Sequence, residues 1–470
     1  GRENMKNKEQ EVMMNSSFFK QGWTCLAVLF MIAVAVAGCS QAKDEYEESV
    51  GQPTPAVEQS QTSADSEVEQ AETIYSGGPA TVVISDFNSG MKDNADWVEQ
   101  FFVQPVKQKH PEITVEMSPE SVQNLINAGM PPDIVLISNP RLHILTELQF
   151  PEDLSDMIAK YKIDLDAFEP AVTGEIQRLS GETFYGLPFS MNYGATVYNK
   201  DIFDRFGVDY PEAGMNWDEY YELARQLTRM DENVQYIGIL APNIGEFLRQ
   251  YTLPSVDLET MEARLTTDRH VEVFSLLQKF YSIPGYVQNG RFDHNQQMFY
   301  GDQVIAMYPW WILNIITSLR NDGVHDSSRW GITTFPVLNH APDIGKQVDF
   351  HMAVVNQASE NKEAAYQVVL HLISEEVQSG LSKAGRISPL IDENIRGLFG
   401  SESDMLEGVD LSVIFSVSPA PMPDISKYDF EIEQMLRNET MREIVVNDVD
   451  VNTALRLAEE KINKEMIIDE

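Results

Sequence analysis

The sequence predicts an α/β fold divided into two domains, and three observations carry this. Thr81-Val82-Val83-Ile84 and Asp133-Ile134-Val135-Leu136-Ile137 are apolar on both faces, as strands covered on both sides by helices must be. Helical patterns alternate with such strands along the chain. The chain has 470 residues, of which about 390 follow the polar N-terminal region, more than one core usually organises.

The N-terminus reads as an export signal. Lys6, Lys8 and Lys20 precede an apolar run from Trp23 to Ala37, shorter than the roughly 20 residues of a membrane-spanning helix. Small residues Val36-Ala37-Gly38 lead to Cys39, the layout of a cleavable signal over residues 1–38. Val36-Ala37-Gly38-Cys39 also resembles the bacterial lipobox, which implies that Cys39 is the lipidated first residue of the mature chain. The competing reading is an uncleaved anchor, but polar sequence follows Cys39 at once. The only other cysteine is Cys25, so no disulfide framework or cysteine metal site is expected in the mature protein. Residues 39–78 are rich in Gln, Glu, Ser, Thr and Pro and predict a disordered acidic tether.

In the body, Trp97, Phe101 and Val106 mark a helix ended by His110-Pro111, and Ile113-Thr114-Val115 a strand. Ser121 to Ala128 predicts a short helix stopped by Gly129. Thr196-Val197-Tyr198 is a strand, and Asn216 an N-cap for the helix Trp217 to Leu227. Val304 to Met307 predicts a strand that enters a helix at about Trp311. Met352 to Val355 is a strand, Lys362 to Ser374 a helix, and a C-terminal helix starting near Asn452 buries Leu455, Ala458 and Ile462. The formal net charge of −39 argues against nucleic acid and against a polybasic membrane patch.

These segments resemble the family-1 extracellular solute-binding proteins. Gly181 to Pro188 is similar to the family's G-x-x-Y-G-L-P segment, Tyr198-Asn199-Lys200-Asp201-Ile202-Phe203 to Y-N-K-D-x-F, and Pro211 with Asn216-Trp217-Asp218-Glu219 to P-x-T-W-x-E. Phe299 to Met307, Lys362-Glu363-Ala364-Ala365 and Arg386-Ile387-Ser388-Pro389 resemble later family segments in the same order. The resemblance implies a two-lobe, type II periplasmic-binding-protein-like fold with a ligand cleft between lobes joined by three crossovers. It places these near Ser190 to Gly194, Asp302 to Tyr308 and Phe350 to Ala353. The N-terminal lobe is then 79–190 with 303–350, and the C-terminal lobe 191–302 with 351–470. The function implied is a lipid-anchored extracytoplasmic substrate receptor of an ABC importer on the outer face of the cell membrane, acting as a monomer with the permease as partner. Its ligand is expected to be a sugar, and no cofactor is implied. A receptor feeding a sensor kinase and a secreted polysaccharide-active enzyme are the alternatives.

A sugar presents apolar C–H faces and a rim of hydroxyls, so its site needs flat aromatic rings and side chains that donate and accept hydrogen bonds. Trp310 and Trp311 are the platform candidates. With a helix beginning at Trp311, and Ile315 and Leu319 on its stripe, Trp310 is the expected platform and Trp311 the expected core residue. Phe87 and Tyr193 are secondary platforms. Asp86, Asn88, Ser138 and Asn139 lie at strand carboxyl ends, where open α/β sheets bind ligands. Asn192 and His351 lie near expected crossovers. Trp97, Trp217 and Trp330 are assigned to structure. The adjacent Tyr220-Tyr221 point in different directions on a helix, against an iron site. Asp448, Asp450, Asn452 and Glu459 mimic calcium-loop spacing, but Thr453 stands where that loop needs Gly, so helix capping is expected. No nucleophile elbow, zinc-protease or phosphate-loop motif is present.

Overall fold

The computed structural model describes residues 75–467, apart from residues 182, 322–326, 404–405 and 407–408. The expected signal at 1–38, Cys39 and the tether up to residue 74 lie outside the described residues. Those described fall in one compact unit, residues 70–470. It starts earlier than Gly78: Tyr75 sets its ring edge against His110, with centroids 6.1 Å apart.

Besides a small ribbon at 256–263, the strands in chain order are β1 (Ala80–Asp86), β2 (Ile113–Ser118), β3 (Ile134–Ser138), β4 (Leu187–Asn192), β5 (Gly194–Asn199), β6 (Arg229–Asp231), β7 (Val234–Ile239), β8 (Ile305–Trp311), β9 (Trp330–Thr334), β10 (Ile344–Gln347), β11 (Asp349–Val355) and β12 (Ser418–Ala420). They form two five-stranded sheets, ordered β2-β1-β3-β11-β4 and β9-β5-β8-β7-β6, plus the pair β10-β12. In the first sheet β1 runs parallel to β2 and β3, while β11 runs antiparallel to β3 and β4. In the second, β8 is parallel to β7 and antiparallel to β5, which is antiparallel to β9. Every residue of β3, β4 and β5 is buried, because helices cover both faces of each sheet.

The main helices are α1 (Trp217–Leu227), α2 (Ile244–Gln250), α3 (Asp268–Tyr281), α4 (Ile312–Asn321), α5 (Lys362–Leu372), α6 (Glu375–Lys383) and α7 (Val451–Glu465). Asn216 caps α1 in a capping box with Glu219, as its sequence signature requires. Trp217 follows, buried, with its indole N–H donating to Gln250 Oε1 at 2.9 Å and its ring 4.5 Å from Phe247. At α7 the calcium-like residues serve packing. Asp450 is the N-cap, and Glu459 accepts the N–H groups of Leu265 and Thr266.

Strand pairing revises the lobe boundaries. β8 and β9 lie in the second sheet and β10, paired with β12, packs against β5 and α2, so 305–347 belongs to the second lobe and the chain does not cross at Asp302 to Tyr308. β11 completes the first sheet, and α5 packs on β1 and β11. The segment 349–383 therefore sits in the first lobe, which for 351–383 is the reverse of the expected assignment. The first crossover, β4 to β5 through Tyr193, falls where expected. The second is β10 to β11 through Val348, just ahead of the segment expected to be the third. The third lies between α6, with its neighbour helix Glu393–Gly397, and the C-terminal helices on α2 and α3; β12 is on this path, paired with β10. Local apolar pattern marks β8 as a buried strand but does not say which sheet receives it.

Candidate functional site

The carboxyl ends of β1, β3 and β4 and the amino end of β11 share one edge of the first sheet. Register aligns His351 with Ser138 and Ser190, and Asp349 with Asn192. On the second sheet, the carboxyl ends of β8 and β9 and the amino end of β5 share an edge, with Trp310 level with Ala195 and Trp311 with Gly194. The two edges adjoin at the β4–β5 crossover, the place where open α/β sheets leave a crevice.

On the first edge most expected polar residues are brought together, several of them already bonded. Asp86 is buried, and its two carboxylate oxygens accept the N–H groups of Ser89 at 2.7 Å and Lys92 at 3.0 Å, closing the loop after β1. Asn88 is exposed and forms a reciprocal pair with Ser138: its amide donates to Ser138 Oγ at 2.8 Å and its carbonyl accepts Ser138 N–H at 3.0 Å. Asn139 accepts the Phe350 N–H at 3.1 Å, while its Nδ2 is buried without a partner. Asn192 accepts the Leu313 N–H at 3.3 Å, so a first-lobe strand end is tied to the first turn of α4. Half-buried His351 stands 3.4 Å from Ser190 Oγ. Burial and the Arg386 guanidinium lower its pKa to about 4, leaving a neutral ring that can donate and accept. Ser190 is fully buried, so this Ser–His contact offers no nucleophile to a substrate.

Two aromatic candidates separate cleanly. Phe87 is half-buried with the Arg141 guanidinium 5.8 Å from its ring. Tyr193 is buried in the hinge, donating to Glu169 Oε2 at 3.0 Å, with Phe415 edge-on at 5.1 Å. Glu169 is also paired with Arg396 at 2.6 Å. Tyr193 is thus a fixed strut without a free face.

The tryptophan pair reverses expectation. β8 runs through Trp311, and α4 begins only at Ile312. Trp310 stacks on Tyr308, two residues back on the same strand face, with centroids 6.0 Å apart and planes 11° from parallel, and it packs on the core. Trp311 is half-buried and stands outside the core packing.

Sequence reasoning missed what lies beneath these rings. The Lys346 ammonium is 4.5 Å from the Trp311 ring, 4.8 Å from Trp310 and 5.0 Å from Phe335. It is paired with Glu246, which also contacts Arg249 at 3.1 Å and accepts from Gln347 at 3.1 Å. Burial alone would raise the Glu246 carboxyl, but Lys346 and Arg249 outweigh it and bring its pKa down to about 2. Burial pulls the Lys346 pKa down while Glu246 pulls it up; three aromatic faces add attraction for the ammonium form. Nearby Asp349 has its pKa raised to about 6 by burial. Gly194 admits this arrangement, since a Cβ there would lie 2.4 Å from Lys346 Cβ and 3.0 Å from Phe335 Cβ. No sequence signal sets Lys346 apart from a surface lysine.

Among the described residues no helix is long and apolar enough to cross a membrane. The family described as bacterial extracellular solute-binding protein matches residues 88–379. Solved structures of similar fold include an ABC substrate-binding protein from Listeria monocytogenes in complex with cycloalternan, 19% identical, with TM-score 0.61, covering 83% of this chain and 100% of that one. A Rhizobium etli sugar transporter in an open conformation is 20% identical, with TM-score 0.64 and coverage of 82% and 99%. The sugar-binding protein MalE of Xanthomonas citri is 17% identical, with TM-score 0.61 and coverage of 82% and 96%.

Proposed function

The chain belongs to the bacterial extracellular solute-binding proteins, and from that premise we propose that it captures a saccharide between its lobes and delivers it to an ABC permease. The observation that carries the ligand class is Trp311: a half-buried indole at a cleft edge, outside the core, backed by a buried ammonium. An apolar face of that size suits the C–H face of a sugar ring. The hydroxyl rim would meet Asn88, Ser138 and the neutral His351. The saccharide-binding relatives support the same class.

The mature protein is proposed to start at Cys39, held to the outer face of the membrane by lipid and reaching the permease on its acidic tether. It is proposed to act by binding without turnover, in keeping with a family and structural relatives that are binding proteins. A thermal-shift screen against mono- and oligosaccharides tests the ligand class. A ligand at 100-fold its dissociation constant should add about 2.7 kcal/mol of stability. A response confined to amino acids, peptides or metal ions would refute the saccharide reading, and release of shorter sugars on incubation would refute binding without turnover.

A further inference from the structure

At the first lobe's lip a guanidinium stands without an anion. Arg386 donates through Nη2 to the Ser89 carbonyl and lies 3.5 Å from Met91 Sδ, both uncharged groups. Its guanidinium carbon is 5.6 Å from the Trp97 ring, and its Nε is buried with no partner. Among the described residues, no carboxylate forms an ion pair with it. Asp86 is the one carboxylate whose charge reaches it, and both Asp86 oxygens are occupied by the Ser89 and Lys92 amides. Beyond Phe87, the exposed Arg141 likewise has no carboxylate partner among the described residues. Asn88, Ser138 and the unpartnered Asn139 Nδ2 belong to the same edge.

A partly buried cation without a hydrogen-bonded counter-ion is costly, and the charge of Asp86 offsets only part of the burial of Arg386. With a formal charge of −39 the chain has carboxylates in excess, yet among the described residues only Asp86 reaches Arg386, and it does so without an ion pair. Nε is closed off by burial, but Nη1 has no hydrogen bond among the described residues, and Nη1 with Nη2 is the end of a guanidinium that can hold a carboxylate through two parallel hydrogen bonds. We propose that the saccharide is acidic: a sugar carrying a uronic-acid carboxylate, held by Arg386 with Arg141 at the rim, while Trp311 takes an apolar ring face. This rests on the saccharide reading above and names its charge.

The test is calorimetry and thermal shift on the mature protein with matched panels: galacturonic-acid and glucuronic-acid mono- and oligosaccharides against galactose and glucose counterparts of the same length. The acidic members should give the larger shifts, and their affinity should fall several-fold between about 50 and 500 mM NaCl. Arg386→Gln should weaken the best acidic ligand about 30-fold or more, the value of a charge-assisted hydrogen bond, with little effect on its neutral counterpart. The exposed Arg141→Gln, which leaves packing intact, should weaken it about 3-fold to 10-fold. Neutral members binding as well as or better than acidic ones would overturn the charge assignment and leave the saccharide reading standing. A preference for sulfated over carboxylated sugars would overturn the carboxylate. Silence from both panels would remove both readings.

Discussion

Strand pleating sets the two neighbouring indoles in different surroundings. Trp310 shares a face with Tyr308 and stacks on it, so Trp310→Ala should open a cavity and lower stability by about 2 to 4 kcal/mol in chemical denaturation. Trp311 is held from below by Lys346 and has no core to lose. Trp311→Ala should leave the unliganded melting temperature nearly unchanged and weaken saccharide binding about 30-fold or more by calorimetry. The reverse pattern would restore Trp310 as the platform. Asp349 gives a separate test through pH. Its folded pKa of about 6 lies above the ordinary 3.8, so the folded state holds this proton more tightly than the unfolded chain. The group therefore costs stability as pH rises from about 4 through 6, and the full cost applies at neutral pH. Asp349→Asn should stabilise the protein at pH 7 by on the order of 2 kcal/mol, with the gain closing as pH falls toward about 4. A gain that does not vary with pH would mean that packing, not charge, is responsible. Glu246 and His351 act in the opposite sense: the stability Glu246 contributes is lost as pH falls from about 4.5 toward 2, and His351 adds a cost as pH falls from about 6.5 toward 4.

Among the elements, the hinge strands set the tightest constraint. Gly194 opens β5 where the second lobe brings Lys346 and Phe335 against the backbone, and no side chain fits there without moving β10. Gly194→Ala should cost about 1 to 3 kcal/mol, as overpacking does, and should weaken binding as well, since β10 leads directly into the second crossover. Unchanged stability and affinity would show that the hinge tolerates a shift of β10. Elements of this kind were legible in the sequence where local chemistry is decisive. Continuous apolar runs gave β1 and β3; Asn216 with Glu219 marked the start of α1; Ser121 and Gly129 bracketed a short helix. Within Val304 to Leu313 the strand is legible but its end is not, because an apolar run without a period of two or of 3.6 does not mark where β8 gives way to α4. That boundary is why Trp310, and not Trp311, is the indole packed on the core. Lys346, Glu246 and Arg386 were invisible for another reason: their neighbours come from distant parts of the chain.

At the scale of the whole molecule, three crossovers should restrict any lobe motion to a rigid-body closure. Small-angle scattering should give a smaller radius of gyration with saturating saccharide than without; equal radii would mean that ligand enters a cleft already closed. Cys39→Ala expressed in a Gram-positive host should move the protein from the membrane fraction to the medium. Retention as firm as that of the wild type would refute the lipid anchor. The placement of β11 has one more consequence, for how the chain is made. This strand lies between β3 and β4, yet it is synthesised after the entire second sheet. Until residue 355 has left the ribosome, the first sheet lacks an interior strand, with the facing edges of β3 and β4 unpaired. Pairings so distant in sequence form slowly, because a long loop must close before any contact rewards it. The first sheet of a chain built in this order should therefore close last, after the second sheet has been made.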